Sequence, residues 1–372
     1  MGFYDPALVT AFFFAAGDRE GDLLWDVVSA APPDGERGVR RKRISTAGTT
    51  IVQVALERIG YQEVESWSDL SEAMARWLGR FWDAPPDSFW GMSRIYLGAA
   101  VAGPYEEQSL LAQGLSLAEE PSRPVVLLPV GRLWLASPPG MVERSSVVAT
   151  YAWFYAPTEE IRRRLEELLW DDGASFPRAE LYLHRALHQL RQYGREERAS
   201  FWATLDRTEN AAALALARPD SHCLNQLRET SRVTVRELAR LSRRHNLLRS
   251  SAYLYRQIGQ ELRQEGDGLF YWYEQRLQEA LVQWGYDLER ADRAITLART
   301  ALLAVPPLEP APEPAPPVEK DAPAVPLLHY LVAAAVFAFC LVDDNWMIVL
   351  ARAGVLSLLT VLSWVWIRRR KR

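Results

Sequence analysis

The carboxy-terminal run of apolar residues constrains this chain more than any other feature. Residues 327–342 read LLHYLVAAAVFAFCLV, and Asp343-Asp344-Asn345 interrupts them. Residues 346–367 then read WMIVLARAGVLSLLTVLSWVWI, before five basic residues at 368–372. A helix that crosses a bilayer needs about 20 apolar residues. The second run meets that length, and the first does once Ala324 to Pro326 are included. A short polar bend between two spans predicts a hairpin entering and leaving on one side, and basic residues at the exit assign that side to the cytoplasm. The expectation is a transmembrane helical hairpin at 327–367 with a basic cytoplasmic tail at 368–372. The remainder would sit at the inner face of the plasma membrane, in contact with its lipid.

Residues 305–326 (VPPLEPAPEPAPPVEKDAPAVP) are too rich in proline for helix or sheet and predict an extended, semi-rigid linker. Two long helical patterns precede it. Within 231–264, Leu238, Leu241, His245, Leu248, Ala252, Tyr255 and Leu262 follow alternating steps of three and four, a heptad-like seam interrupted at Gly259. Within 269–303, Leu277, Leu281, Trp284, Leu288, Ala291, Ile295, Ala298 and Leu302 form one apolar stripe. Gly266-Asp267-Gly268 between them suits a tight reversal. A helical domain over 196–304, a hairpin or the long arms of a small bundle, is expected.

The first 195 residues read as a mixed domain. Runs at 8–15, 94–101, 124–129, 131–137 and 145–155 are rich in Val, Leu, Ile and aromatic residues and predict strands. Ala7 to Ala16 lacks the basic region of a signal peptide and reads as a buried strand. Helices are expected at 69–82 after Ser68, at 159–170 after Thr158, and at 177–193. The fold class is therefore an α+β N-terminal domain (1–195), then the long-helix domain, the linker (305–326) and the transmembrane hairpin.

Composition excludes several functions. A net charge of −4 argues against a general nucleic-acid binder. Two cysteines, Cys223 and Cys340, cannot form a disulfide framework. No phosphate-binding glycine loop, nucleophile elbow or kinase signature is visible, so neither catalytic residues nor a cofactor are assigned. His184 and His188 share a helix face at i and i+4, but Arg185 stands where a zinc metallopeptidase carries Glu, so no metal is expected. Cys223 beside His222 lacks a cysteine-peptidase context. Arg37, Arg40, Arg41, Lys42 and Arg43 read as a solvated loop rather than a lipid-binding patch. Arg352, near Asp343 and Asp344, reads as a snorkelling residue.

Three stretches carry a family likeness: residues 145–170 with 176–193, residues 227–258, and residues 270–295. In that order, preceded by the strand RIYLGAAV at 94–101, they resemble the CATRA proteins, the caspase and TPR-repeat-associated components of bacterial conflict systems. The likeness spans most of residues 8–303. It implies an α+β domain followed by a helical one, and a defence role alongside caspase-like peptidases and TPR proteins. It carries no site residues. The reading is a membrane-anchored, non-enzymatic conflict-system component, with homo-oligomerisation possible. The alternative is an effector whose hairpins assemble into a pore lined by Arg352, Asp343 and Asp344. A CorA-like channel fits less well, because the linker breaks the stalk and the G-M-N loop is missing. A divergent peptidase using Cys223 is a further alternative.

Overall fold

A computed structural model describes residues 3–30, 37–46, 48–58, 64, 66–83, 89–100, 107, 109, 115, 124–128, 130–137, 148–262 and 269–304. Its strands are β1 (Tyr4–Ala15), β2 (Arg37–Thr46), β3 (Thr49–Arg58), β4 (Gly91–Ala99), β5 (Pro124–Leu128), β6 (Gly131–Ser137) and β7 (Val148–Tyr155). They join one sheet in the order β2-β3-β1-β4-β7-β6-β5. Only β4 and β7 run parallel among the neighbouring pairs, and the register matches Met92 to Val148 and Ala99 to Tyr155. The described helices are α1 (Arg19–Ser29), α2 (Ser68–Leu78), α3 (Arg80–Asp83), α4 (Glu159–Trp170), α5 (Ser175–Gln192), α6 (Arg195–Ala217), α7 (Ser221–Leu262) and α8 (Leu269–Ala304).

Both faces of the sheet are covered, which is why its central strands are apolar throughout rather than alternating. In β1, Leu8, Phe12 and Phe14 join Leu24 of α1, Leu70 and Met74 of α2 and Trp67 on one face. Val9 on the opposite face belongs to a core that includes Leu165, Leu169, Phe176 and Leu183 of α4 and α5. That second core continues without interruption into Leu241, Leu248 and Tyr255 of α7 and Leu277 and Trp284 of α8. Sheet and long helices therefore share apolar packing.

Local chemistry accounts for several boundaries. Thr158 caps α4, its hydroxyl accepting from the Ile161 amide at 3.3 Å. Ser68 is already inside α2, and its amide donates to the Ser66 hydroxyl oxygen at 3.0 Å, so Ser68 is not the expected cap. Asp220 accepts from the Cys223 amide at 2.8 Å and starts α7 at Ser221, ten residues before the expected helical pattern at 231–264. The seam holds: Leu241, Leu248, Ala252, Tyr255 and Leu262 are buried, and Gly259 lies inside an unbroken helix. Arg256 pairs with Glu274, and His245 Nε2 lies 3.4 Å from the Leu281 carbonyl, so α7 and α8 run antiparallel. Helix α6 packs on both, completing a bundle, and the buried hydroxyls of Thr208 and Thr234 meet at 2.8 Å between α6 and α7.

The membrane expectation is corrected. No helix among the described residues is long and apolar enough to cross a membrane. The fold class is thus a helix-covered mixed sheet joined to a helical bundle, with no transmembrane hairpin among its described parts. The segments that prompted the expectation, 305–326, 327–367 and 368–372, lie outside the described residues, as do Cys340, Asp343, Asp344 and Arg352.

The basic run is corrected as well: it forms edge strand β2, not a loop. Alternation along a strand sends successive side chains to opposite faces. Arg41 donates to the carbonyls of Val28 and Ser29, both at 2.9 Å, closing the end of α1, and Arg43 pairs with Asp22 of the same helix. On the other face, Arg40 pairs with Glu57 at 3.1 Å and Glu166 at 2.9 Å, and Lys42 pairs with Asp172 at 2.9 Å. These charges fasten α1 and α4 to the sheet edge.

Candidate functional site: an aromatic–arginine groove between α6 and α8

Two polar constellations are built into the apolar framework. The first lies where α5 crosses the sheet. Glu180 and His184 share one face of α5, and Ser93 of β4 and Tyr151 of β7 project towards them. The Ser93 hydroxyl donates to Glu180 Oε2 at 2.6 Å, and the Tyr151 hydroxyl donates to Oε1 at 3.0 Å. His184 Nε2 lies 3.2 Å from Ser93 Oγ and 3.6 Å from Glu180. Burial holds His184 below its ordinary value, although its contact with Glu180 pulls the other way. Burial and the adjacent Glu180 push the Tyr151 phenol well up.

A serine, an imidazole and a carboxylate in contact invite comparison with a hydrolytic triad. In a triad the acid orients the imidazole through Nδ1 while Nε2 faces the serine. Here the acid bonds the serine directly, and His184 Nδ1 has no hydrogen-bond partner. The ring is stacked on Phe13 at 5.1 Å. All four side chains are sealed from solvent. Gly91 presses against the imidazole so closely that a Cβ there would fall 1.9 Å from Nδ1. The arrangement is a polar rivet between sheet and helix.

His188, one turn further on α5, lies 2.8 Å from the Gln192 side-chain nitrogen. Burial, with Arg191 and Arg244 nearby, holds it down at about 4. Among the described residues no three His, Cys, Asp or Glu side chains form a metal-ligating group. Cys223 sits on the first turn of α7, where its hydrogen bond with Asp220 is the largest influence pushing the thiol up. That disfavours the thiolate a nucleophile requires.

The second constellation opens to solvent. Between α6 and α8 runs a groove of about 1350 Å³. Asp287 lies fully buried at its floor and accepts from Arg198 Nε at 2.8 Å, Arg198 Nη2 at 3.0 Å, Trp202 Nε1 at 3.0 Å and the Tyr193 hydroxyl at 3.2 Å. The hydrogen bond to Asp287 is the largest influence raising Arg198, while burial leads in raising Tyr193. Trp202 remains 39 % exposed, with the guanidiniums of Arg290 and Arg198 lying 4.7 Å and 5.2 Å from its ring centre. Arg290 is anchored in turn by Asp206 and Glu209. Tyr286 and Val282 stand exposed on the α8 wall, and Arg195 and Arg293 line the groove with no ion-pair partner among the described residues.

This arrangement presents a rigid aromatic face, exposed apolar area and spare cations. Among the described residues lining it, no nucleophile and base converge. Sequence reasoning missed both constellations. Signals existed: Glu180 lies within the apolar face of α5, and Asp287 interrupts the apolar stripe of α8 between Trp284 and Leu288. No protein-family model and no curated protein matches the chain.

Proposed function

We propose that this chain is a non-enzymatic, partner-binding component that works beside caspase-like and TPR-repeat proteins, as in the conflict systems its sequence resembles. The groove between α6 and α8 is its docking site. The occupant is a protein segment that carries a carboxylate next to an apolar side chain. Arg195 and Arg293 receive the acid, and Trp202 and Tyr286 receive the apolar group. Binding hot spots are enriched in Trp, Tyr and Arg held in well-packed surroundings. The observation carrying the reading is Trp202, half-exposed yet fixed by Asp287 at its ring nitrogen and flanked by two guanidiniums.

The test uses the full chain with purified caspase-like and TPR-repeat proteins from one conflict system, measured by calorimetry. One of the two binds, and Trp202→Ala weakens it by about 30-fold, the size of a strong hot spot. Full-strength binding by Trp202→Ala, or binding to neither protein, overturns the proposal.

A further inference from the structure

The long arm of the bundle carries a second groove, separate from the first. Its floor is Val235 of α7 with Ile295, Ala298 and Leu302 of α8, and its volume is about 520 Å³. Arg228, Arg232 and Arg236 rim it from α7, and Arg299 from α8. The rim belongs to a longer pattern. Arg228, Arg232, Arg236 and Arg240 recur every four residues, and Arg243 follows three later, so the five share one helix face. All five are exposed. They cover about 22 Å of α7 at 1.5 Å per residue.

Among the described residues, few carboxylates pair with this stripe. Glu229 and Glu237 reach Arg232 and Arg240 only at 3.9 Å, and Arg236, Arg243 and Arg299 have no ion pair among the described residues. Elsewhere the chain spends its cations internally, as the β2 residues show. A row of five arginines with two carboxylate partners, on a chain of net charge −4, is therefore a local, directional excess. An apolar floor flanked by cations matches one kind of ligand: a helix with an apolar stripe bordered by acids, laid along the groove. A nucleic-acid backbone would satisfy the arginines but leave Val235 and Leu302 uncovered.

We infer that the groove between α7 and α8, floored by Val235, Ile295, Ala298 and Leu302 and rimmed by arginines, docks an acidic amphipathic helix of a partner protein. With the α6–α8 groove, the bundle then carries two docking faces of different chemistry, and the protein bridges two partners rather than binding one. The second face does not depend on the first.

The test is fluorescence anisotropy on the full chain with a labelled synthetic helix. The probe has about 18 residues, spanning about 27 Å at 1.5 Å per residue, with leucines at i, i+3, i+7 and i+10 and glutamates on both flanks. Saturable binding is expected, with a scrambled peptide of equal charge about tenfold weaker, because the apolar stripe is then lost. Arg236→Glu with Arg299→Glu weakens the designed helix by about tenfold or more, since it reverses the complementary charge. Trp202→Ala leaves this affinity unchanged, which separates failure here from failure of the first groove. Should the charge-reversed variant lower the melting temperature, Val235→Asp, an exposed floor position, supplies the same readout. Equal binding of the scrambled peptide, no loss in either variant, or displacement of the helix by a single-stranded oligonucleotide at lower concentration overturns the inference.

Discussion

Glu180 and Asp287 are both carboxylates taken almost completely out of water, and their surroundings differ in one respect. Glu180 is met by neutral donors, the hydroxyls of Ser93 and Tyr151, with a neutral imidazole alongside. Asp287 is met by a guanidinium, an indole and a phenol, and the guanidinium and indole continue outward to the surface. A carboxylate satisfied from within the core fixes two layers against each other and has nothing left to offer. One satisfied by groups that reach solvent fixes those groups in place and so shapes a surface. Similar chemistry therefore gives a joint in one region and, in the other, the groove proposed as a binding face.

The sharpest way to break this comparison is at the joint. Gly91→Ala places a methyl group inside the His184 ring position, and the contact is to a buried side chain held by sheet and helix. Overpacking of this kind costs about 3 kcal/mol or more when neither partner can yield. Glu180→Ala orphans the Tyr151 hydroxyl, leaves Ser93 only His184 Nε2 as a partner, and costs about 1–3 kcal/mol. Urea denaturation measures both. The fraction that stays folded binds a partner at the α6–α8 groove with unchanged affinity. Wild-type stability in either variant would show that the cluster does not fasten the sheet to α5.

Acid gives the next effect and falls on the same region. His184 and His188 are both held below their ordinary values, His188 at about 4 against 6.5 in the unfolded chain. For a depressed pKa the unfolded state takes up protons first. Stability is thus full above pH 6.5 and declines as pH falls towards 4. The groove relies on Arg198 and Arg290, whose guanidiniums remain charged throughout that window, and both are raised. Urea midpoints between pH 7.5 and 4 fall for the wild type and fall less steeply for His188→Gln. Parallel curves would remove His188 from the account.

Much of the architecture was legible because burial imposes periodicity. The seam of α7 and the stripe of α8 are buried or half-buried where the sequence has its threes and fours, and the apolar run of β1 is a strand covered on both faces. What escaped had a physical reason. Strand β2 reads as a basic loop because its long cations, not apolar groups, cover α1 and α4. Helix α6 ends in AAALALA, where alanines line the buried side while Leu214 and Leu216 are exposed, so no apolar face stands out. The joint and the groove were hidden for a shared reason. Each is assembled from residues roughly ninety positions apart, Ser93 with Glu180 and Arg198 with Asp287, and pairings at that distance leave no spacing to read. The histidine pair at 184 and 188 drew attention as ligands, whereas the pair that acts together on α5 is Glu180 with His184.

The smallest effect on stability should accompany the clearest effect on binding, and Asp287→Asn separates the two. The amide keeps the size of the side chain and one acceptor oxygen but loses the charge that holds Arg198 in a two-pronged contact. Arg198 is partly exposed, so water compensates in part, and the expected loss is about 1–2 kcal/mol, less than a sealed pair would show. Arg198 then no longer holds both prongs, and the Trp202 ring that it flanks loosens with it. Affinity at the α6–α8 groove should then fall by about tenfold, because orienting a hot-spot aromatic becomes a cost of binding. Calorimetry beside urea denaturation checks both quantities on one sample. If stability drops by as much as in Glu180→Ala while affinity holds, Asp287 is a second joint, and the contrast between the two carboxylates fails.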